Sequence, residues 1–240
     1  EPSPARRAKA EQNNSRFKQT AIFKPTFDFP PSSIEGIVFS NEFFDALPFD
    51  RVIMREGKLY ELRVGKNFDE VPVAATPKLK QYFTWLKSKP AEGCKAEAHM
   101  TSGDWTRRIA RALVRGLVVT FDYGHESREL YSDIRPEGTA LCHYKHQTSR
   151  DFYTRVGKQD ITAHINFTVL EKEAIQRGLI SDPLTTQSRF LLDHGLDDMV
   201  RKVGESADPI SRLKLTSAIK SLVHPEGMGG TFKVLVQRKS

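Results

Sequence analysis

Two kinds of apolar pattern alternate along the chain. Gly36-Ile-Val-Phe39 is a short unbroken run that stops at Ser40, Asn41 and Glu42. A run of that length is too short for a helix and matches a parallel strand covered on both faces. Leu117-Val-Val-Thr-Phe121 repeats the pattern and stops at Asp122, Tyr123 and Gly124. Thr231 to Arg238 closes the chain as a strand with Phe232, Val234 and Val236 on one face. Helical stripes lie between these runs. Ser3 and Pro4 open a helix, and so do Thr76 and Pro77, which bring Leu79, Phe83 and Leu86 to one face. Asp104 is expected to cap a helix whose buried stripe is Trp105, Ile109, Ala112 and Leu113 and which Gly116 ends. Further helices are expected over Leu170 to Gly178, within 188–203 and over Arg212 to Leu222, and a hairpin over Phe49 to Val64. That hairpin turns at Glu56-Gly57-Lys58 through a loop of three to five residues, with Ile53, Leu59 and Leu62 toward a core. A further strand is expected near Thr20 to Phe23. Strands alternating with helices predict an α/β fold.

In such sheets ligands bind beyond the carboxyl ends of the strands, which makes Asn41 and Glu42 site candidates by position. The pair also fits a helix cap, because the first turn of a helix favours a carboxylate. Asp122 and Tyr123 belong at the same edge if the two strands are neighbours; an Asp-Tyr-Gly turn that merely ends its strand is the plainer reading. Gly227-Met-Gly-Gly precedes a strand rather than a helix and reads as a tight turn, not a phosphate loop. Cys142, His143 and His146 lack a second pair at ligand spacing, so no metal is expected. His164, in Gln159-Asp-Ile-Thr-Ala-His164-Ile-Asn-Phe, alternates with apolar residues as on one face of a strand. Both a hydrogen-bonded core or rim role and a catalytic one suit it.

Composition narrows the classes. With 240 residues, 38% hydrophobic and 10% aromatic, the chain can bury a sizeable core. It has no apolar stretch near the roughly 18 residues that span a bilayer, and its start does not resemble a signal peptide. Two cysteines make no disulfide framework. The net charge of +7 is diluted by 30 acidic residues, and Arg107, Arg108 and Arg111 read as a solvated helical face without interleaved aromatics. Nucleic acid is not the expected partner.

Ser-Asn41-Glu42-Phe-Phe-Asp45-Ala-Leu-Pro48 resembles the signature of the MidA-like S-adenosylmethionine-dependent methyltransferases, whose mitochondrial members are assembly factors of respiratory complex I. Phe121-Asp-Tyr-Gly, the stretches GTALCHYKH and QDITAHINFT between 138 and 168, and the final GMGGTFKVLVQRK agree in the same order. The resemblance implies a Rossmann-like class I methyltransferase fold with a mostly parallel sheet and an antiparallel last strand. Residues 1–240 would form a partial domain with insertions at about 49–99 and 125–168 that shape the substrate cleft. The amino-terminal strands and Gly-rich loop would lie ahead of residue 1, so the chain by itself is expected to be inactive. Glu1 would contact the ribose of S-adenosylmethionine, Asn41 the cofactor or substrate, and Asp28 is a weak candidate for the adenine contact. Glu42, with Asp45 as its partner on a helical face, would bind a substrate guanidinium, and His164 or Asp122 would accept the released proton. Tyr123 and Gln187 are expected along the substrate cleft. The implied partner is a protein substrate such as a complex I core subunit, in the mitochondrial matrix of a eukaryote or the cytoplasm of a bacterium. Two other classes stay open: a catalytically silent assembly factor, and a methyltransferase with another acceptor such as RNA.

Overall fold

The computed structural model describes residues 3–14, 29–145, 147–206 and 208–240; the expectations for Glu1, for Thr20 to Phe23, for Asp28 and for His146 lie outside them. The main sheet is built on β6 (Leu113–His125), which pairs in parallel with β1 (Ile34–Asn41) and β10 (Ile165–Asn166). On its other side β6 pairs antiparallel with β13 (Phe232–Lys239), which in turn takes β11 (Ile180–Ser181) and β12 (Thr185–Thr186) antiparallel. Every strand of this sheet therefore runs one way except the last, as the family resemblance implies. Asn41 stands opposite Phe121, so the polar residues that end β1 and β6 share one edge.

Burial on both faces of β1 is not observed. Val38 packs on the core, whereas Ile37 is 67% and Phe39 62% exposed. An unbroken apolar run records that both faces are apolar, not that both are covered, and β1 has one sheet neighbour among the described residues.

Residues 50–98 build a second, antiparallel sheet in the order β4-β3-β2-β5, from β2 (Asp50–Arg55), β3 (Lys58–Val64), β4 (Glu70–Ala74) and β5 (Lys95–Ala98). Arg55 faces Lys58, so the hairpin loop has two residues instead of three to five. Glu56 and Gly57 both take positive φ, the pair of conformations that matches strand twist in a two-residue turn. Helix α2 (Pro77–Leu86) buries Leu79, Tyr82, Phe83 and Leu86, and Thr76 Oγ1 accepts from the Leu79 N–H. Thr76→Ala is expected to cost about 1 kcal/mol and lower the melting temperature by about 2–4 °C, measurable by calorimetry.

Helix α3 (Met100–Ala112) begins ahead of Asp104, which sits inside the helix paired with Arg107 instead of capping it. Ser102 and Gly103 are buried, Gly103 against α5 (Phe167–Ile175), and this close packing carries the helix through residues that read locally as loop. At its other end α3 runs straight into β6, so Gly116 lies within the strand, opposite Gly36, and does not end the helix. After the short α4 (Ser127–Leu130) comes a three-stranded sheet, β8-β7-β9, of β7 (Leu141–Tyr144), β8 (Gln147–Ser149) and β9 (Asp160–Thr162). The helix expected within 188–203 is two, α6 (Gln187–Asp193) and α7 (Leu196–Ser206), separated at Gly195. Helix α8 (Pro209–Val223) is capped by Asp208, and the glycine run forms a one-turn helix, α9 (Met228–Thr231). No helix among the described residues is long and apolar enough to cross a membrane.

Candidate functional site

The chain leaves β1 through Glu42, whose φ of +50° is left-handed and whose N–H donates to the Phe121 carbonyl. No helix follows, so Asn41 and Glu42 cap nothing, and Asp45 is not on a helical face with Glu42. The reason lies in tertiary contacts. Phe44 is buried in the core and its N–H donates to Asp122 Oδ2 at 2.9 Å, while Phe43 packs edge-on against Trp105. The Asp45 carbonyl accepts from the Ala163 N–H at 3.1 Å. The second bond takes a carbonyl that a first helical turn would use, and the first ties the turn to β6.

The resulting turn brings Glu42 and Asp45 together by another route, as walls of one cleft. This cavity of about 390 Å³ is closed by Tyr123 from β6, Thr139, Leu141 and His143 around β7, Asp160 and Thr162 of β9, Ala163, His164, and Thr231. Among the described residues its lining includes Glu42, Asp45 and Asp160 but neither lysine nor arginine. Burial, and then the charge of Glu42, raises the Asp45 carboxyl above the usual range, and its buried Oδ1 has no hydrogen-bond partner. The Tyr123 ring stacks against His164 with centroids 6.1 Å apart and packs on Phe232 at 3.9 Å. Burial, and then the neighbouring His125, lowers His164 to about 4, so its imidazole is neutral at physiological pH. Arg135 Nη2 donates to His125 Nε2 at 3.0 Å, which leaves the His125 proton on Nδ1, 2.9 Å from Glu129.

Other expected positions differ. Asp122 is fully buried beneath the cleft, and its oxygens accept from the Phe44 and Tyr123 N–H groups. Burial, and then the Asp45 charge, raises it to about 7. Its geometry is that of a positioning residue, out of hydrogen-bond reach of anything in the cavity. His164 lies between β9 and β10 instead of within a strand, yet reaches the cleft. Gln187 is outside the lining: it is buried and donates to the Leu222 carbonyl, tying α6 to α8. Thr139, His143, Asp160 and Thr162 were missed, since short strands with long loops between them carry no periodic signal. No group of three metal-ligating side chains occurs among the described residues.

For a nucleoside cofactor, Ile37, Phe39 and Asn41 lie on one side of β1 and are all exposed. A carboxamide beside an exposed aromatic ring fits the polar and planar parts of such a group. Asn41 Nδ2 donates to Glu42 Oε1 at 3.0 Å, so the two edges of the site are joined.

Comparison with known proteins gives a consistent picture. Residues 1–183 match a family model described as "Putative S-adenosyl-L-methionine-dependent methyltransferase". The mitochondrial protein arginine methyltransferase NDUFAF7 of Danio rerio is 25% identical over 203 residues, 82% of this chain and 46% of that protein. The chain thus spans about half the length of that relative. A crystal structure of an uncharacterized Burkholderia thailandensis protein superposes with a TM-score of 0.81 at 26% identity, covering 96% of this chain and 63% of the other. A member of the same superfamily from that bacterium, bound to S-adenosyl-homocysteine, gives 0.79 at 28% identity, covering 96% and 61%.

Proposed function

The chain belongs to the S-adenosyl-L-methionine-dependent methyltransferase family whose model it matches, and from that premise we propose that the whole protein methylates arginine in a protein acceptor. The observation that carries this reading is the charge of the cleft. Among the described residues, three carboxylates and two histidines line it without a lysine or arginine, which suits a cation and repels phosphate. The relative from Danio rerio is named a protein arginine methyltransferase.

S-adenosylmethionine, when bound, supplies an electrophilic methyl. The chain's own part begins with Glu42, which accepts hydrogen bonds from the guanidinium and aims one nitrogen, each charge-assisted bond contributing about 1.5–3 kcal/mol. As that nitrogen gains the methyl it loses a proton, and Asp45 Oδ1, unpartnered and on a carboxyl raised above its ordinary range, accepts it. Asn41 holds the cofactor edge. Neutral His164 and Tyr123 form an uncharged wall that keeps the guanidinium turned to the carboxylates. A core subunit of respiratory complex I is the acceptor that the sequence resemblance suggests, which would place the protein in the mitochondrial matrix of a eukaryote.

The full-length protein, incubated with methyl-labelled S-adenosylmethionine and extract of cells lacking it, is expected to put label into methylarginine after acid hydrolysis of the protein fraction. Label that ribonuclease releases would replace this reading with RNA methylation, and absence of label would leave a non-catalytic binding protein.

A further inference from the structure

A network of buried hydrogen bonds joins the inserted sheet to His164, and its hub is Glu97 of β5. The Glu97 side chain is almost wholly buried, yet three donors converge on its carboxylate: the Thr139 N–H and hydroxyl, both at 2.9 Å, and the Ala140 N–H at 3.2 Å. The fit is close. A Cβ at Gly138, whose φ is +75°, would be strained and would stand 2.3 Å from Glu97 Oε1, displacing the carboxylate from its donors. Thr139 Oγ1, having donated its proton to Glu97, accepts the His164 N–H at 3.1 Å.

The main chain of Glu97 begins the second arm. Its carbonyl accepts the Tyr131 hydroxyl at 3.0 Å, Tyr131 and Tyr82 share a hydrogen bond at 3.2 Å, and Tyr82 Oη accepts the His99 N–H at 3.2 Å. The proton order is therefore fixed: Tyr131 donates to Glu97, and Tyr82 donates to Tyr131. His99, wholly buried, ends this arm beside His164, and its Nε2 has no hydrogen-bond partner among the described residues. The first arm thus ends on a residue of the cleft and the second beside it, and Tyr82, Glu97 and His99 all come from the segment between β1 and α3.

We propose that Glu97 is a positioning residue that fixes Thr139 and, through the Thr139 hydroxyl, His164 as walls of the cleft, coupling the inserted sheet to the transfer site. This rests on the reading of the cleft as the acceptor site. Nothing in the core requires a carboxylate at 97 for packing: three convergent donors do, and an apolar residue would leave them unpaired in the interior. The positive charge of Arg51 nearby offsets part of the cost of burying the carboxylate.

The test follows the His164 ring proton–carbon cross-peak by NMR in the full-length protein, assigned through its loss in His164→Asn. Thr139→Val, which exchanges the hydroxyl for a methyl, and Glu97→Gln, which turns an amide N–H toward the donors, are each expected to shift the cross-peak. Thr139→Ser, which keeps the hydroxyl, is expected to leave the cross-peak in place. Thr139→Val and Glu97→Gln are also expected to lower kcat about tenfold with KM for S-adenosylmethionine unchanged, the size typical of an outer-shell positioning partner. If Glu97→Gln fails to fold, Thr139→Val carries the test. A cross-peak unmoved in Thr139→Val overturns the proposal, and so does a moved cross-peak with wild-type kcat. A wild-type protein that transfers no methyl to arginine defeats the proposed function instead, while the cross-peak still decides whether Glu97 and Thr139 hold His164.

Discussion

Glu42→Gln is expected to lower kcat/KM of the full-length protein for its arginine acceptor about a hundredfold, roughly 2.7 kcal/mol, with little change in melting temperature. The loss is the size of one charge-assisted contact to a guanidinium, because glutamine keeps the length of the side chain and one acceptor oxygen but not the charge. Stability should hold because the side chain is exposed and, among the described residues, bonded only to Asn41, while the turn is held by the bond from the Glu42 N–H to the Phe121 carbonyl. The backbone sharpens the argument. At φ +50° a residue with a Cβ costs about 1–2 kcal/mol relative to glycine. A turn whose only task was to redirect the chain would be better served by glycine, so Glu42→Gly should keep or slightly raise stability while removing the same transfer activity. A second readout needs no acceptor. Because the charge of Glu42 helps to raise the Asp45 carboxyl, both variants should let Asp45 titrate at lower pH, visible by carboxyl-carbon NMR. Wild-type transfer rates at matched acceptor, with Asp45 shifted as expected, would remove Glu42 from the guanidinium site.

What the sequence made legible follows from the range over which each feature is determined. Apolar runs ending in Asn41-Glu42 and Asp122-Tyr123 predicted two neighbouring strands with one polar edge, and the parallel register of Asn41 on Phe121 agrees. The Thr76 and Ser3 caps were equally readable, since each depends on local spacing, whereas the antiparallel last strand came from the family resemblance alone. Failures came where distant contacts override local preference. Residues after Glu42 look like a capped helix, but the Asp122 carboxylate and the Ala163 N–H claim their backbone from far along the chain. Helix α3 reaches back through Ser102 and Gly103 because α5 is there to pack on, something no window around Asp104 can contain. Gln187 had only a motif match behind it, and it turned inward to Leu222. The cleft itself was half legible: the residues at the strand ends were found, and those on the small β7–β9 sheet were not.

Asp122→Asn is expected to change the shape of the stability–pH curve more than its height. In the folded protein the Asp122 carboxyl titrates at about 7, against 3.8 as the ordinary value, chiefly from burial and then from the Asp45 charge. Between those two pH values the folded state holds a proton that the unfolded state has lost, so the stability contributed by the neutral carboxyl is present in acid and declines as pH rises. Carried across the full interval, the decline is roughly 4 kcal/mol, an order of magnitude for a group held almost entirely out of water. Asparagine cannot ionise, so this slope should vanish from the variant, leaving the slopes of the other shifted groups, among them one of the same sign from the raised Asp45 carboxyl. The substitution has its own cost, since Asp122 accepts both the Phe44 and the Tyr123 N–H and an asparagine can accept only one while turning an N–H toward the other. That mismatch is about 1–3 kcal/mol and does not depend on pH. The two curves therefore converge or cross: the variant is weaker near pH 5 and equal to or stronger than wild type near pH 8, as urea unfolding at the two pH values would read. Curves that stay parallel would mean Asp122 does not titrate in this interval. The same coupling reaches the cleft, because a cation bound against Glu42 and Asp45 relieves the repulsion that holds the Asp122 proton. Arginine binding by the wild type should then release protons near pH 6, and Asp122→Asn should reduce that release without abolishing binding.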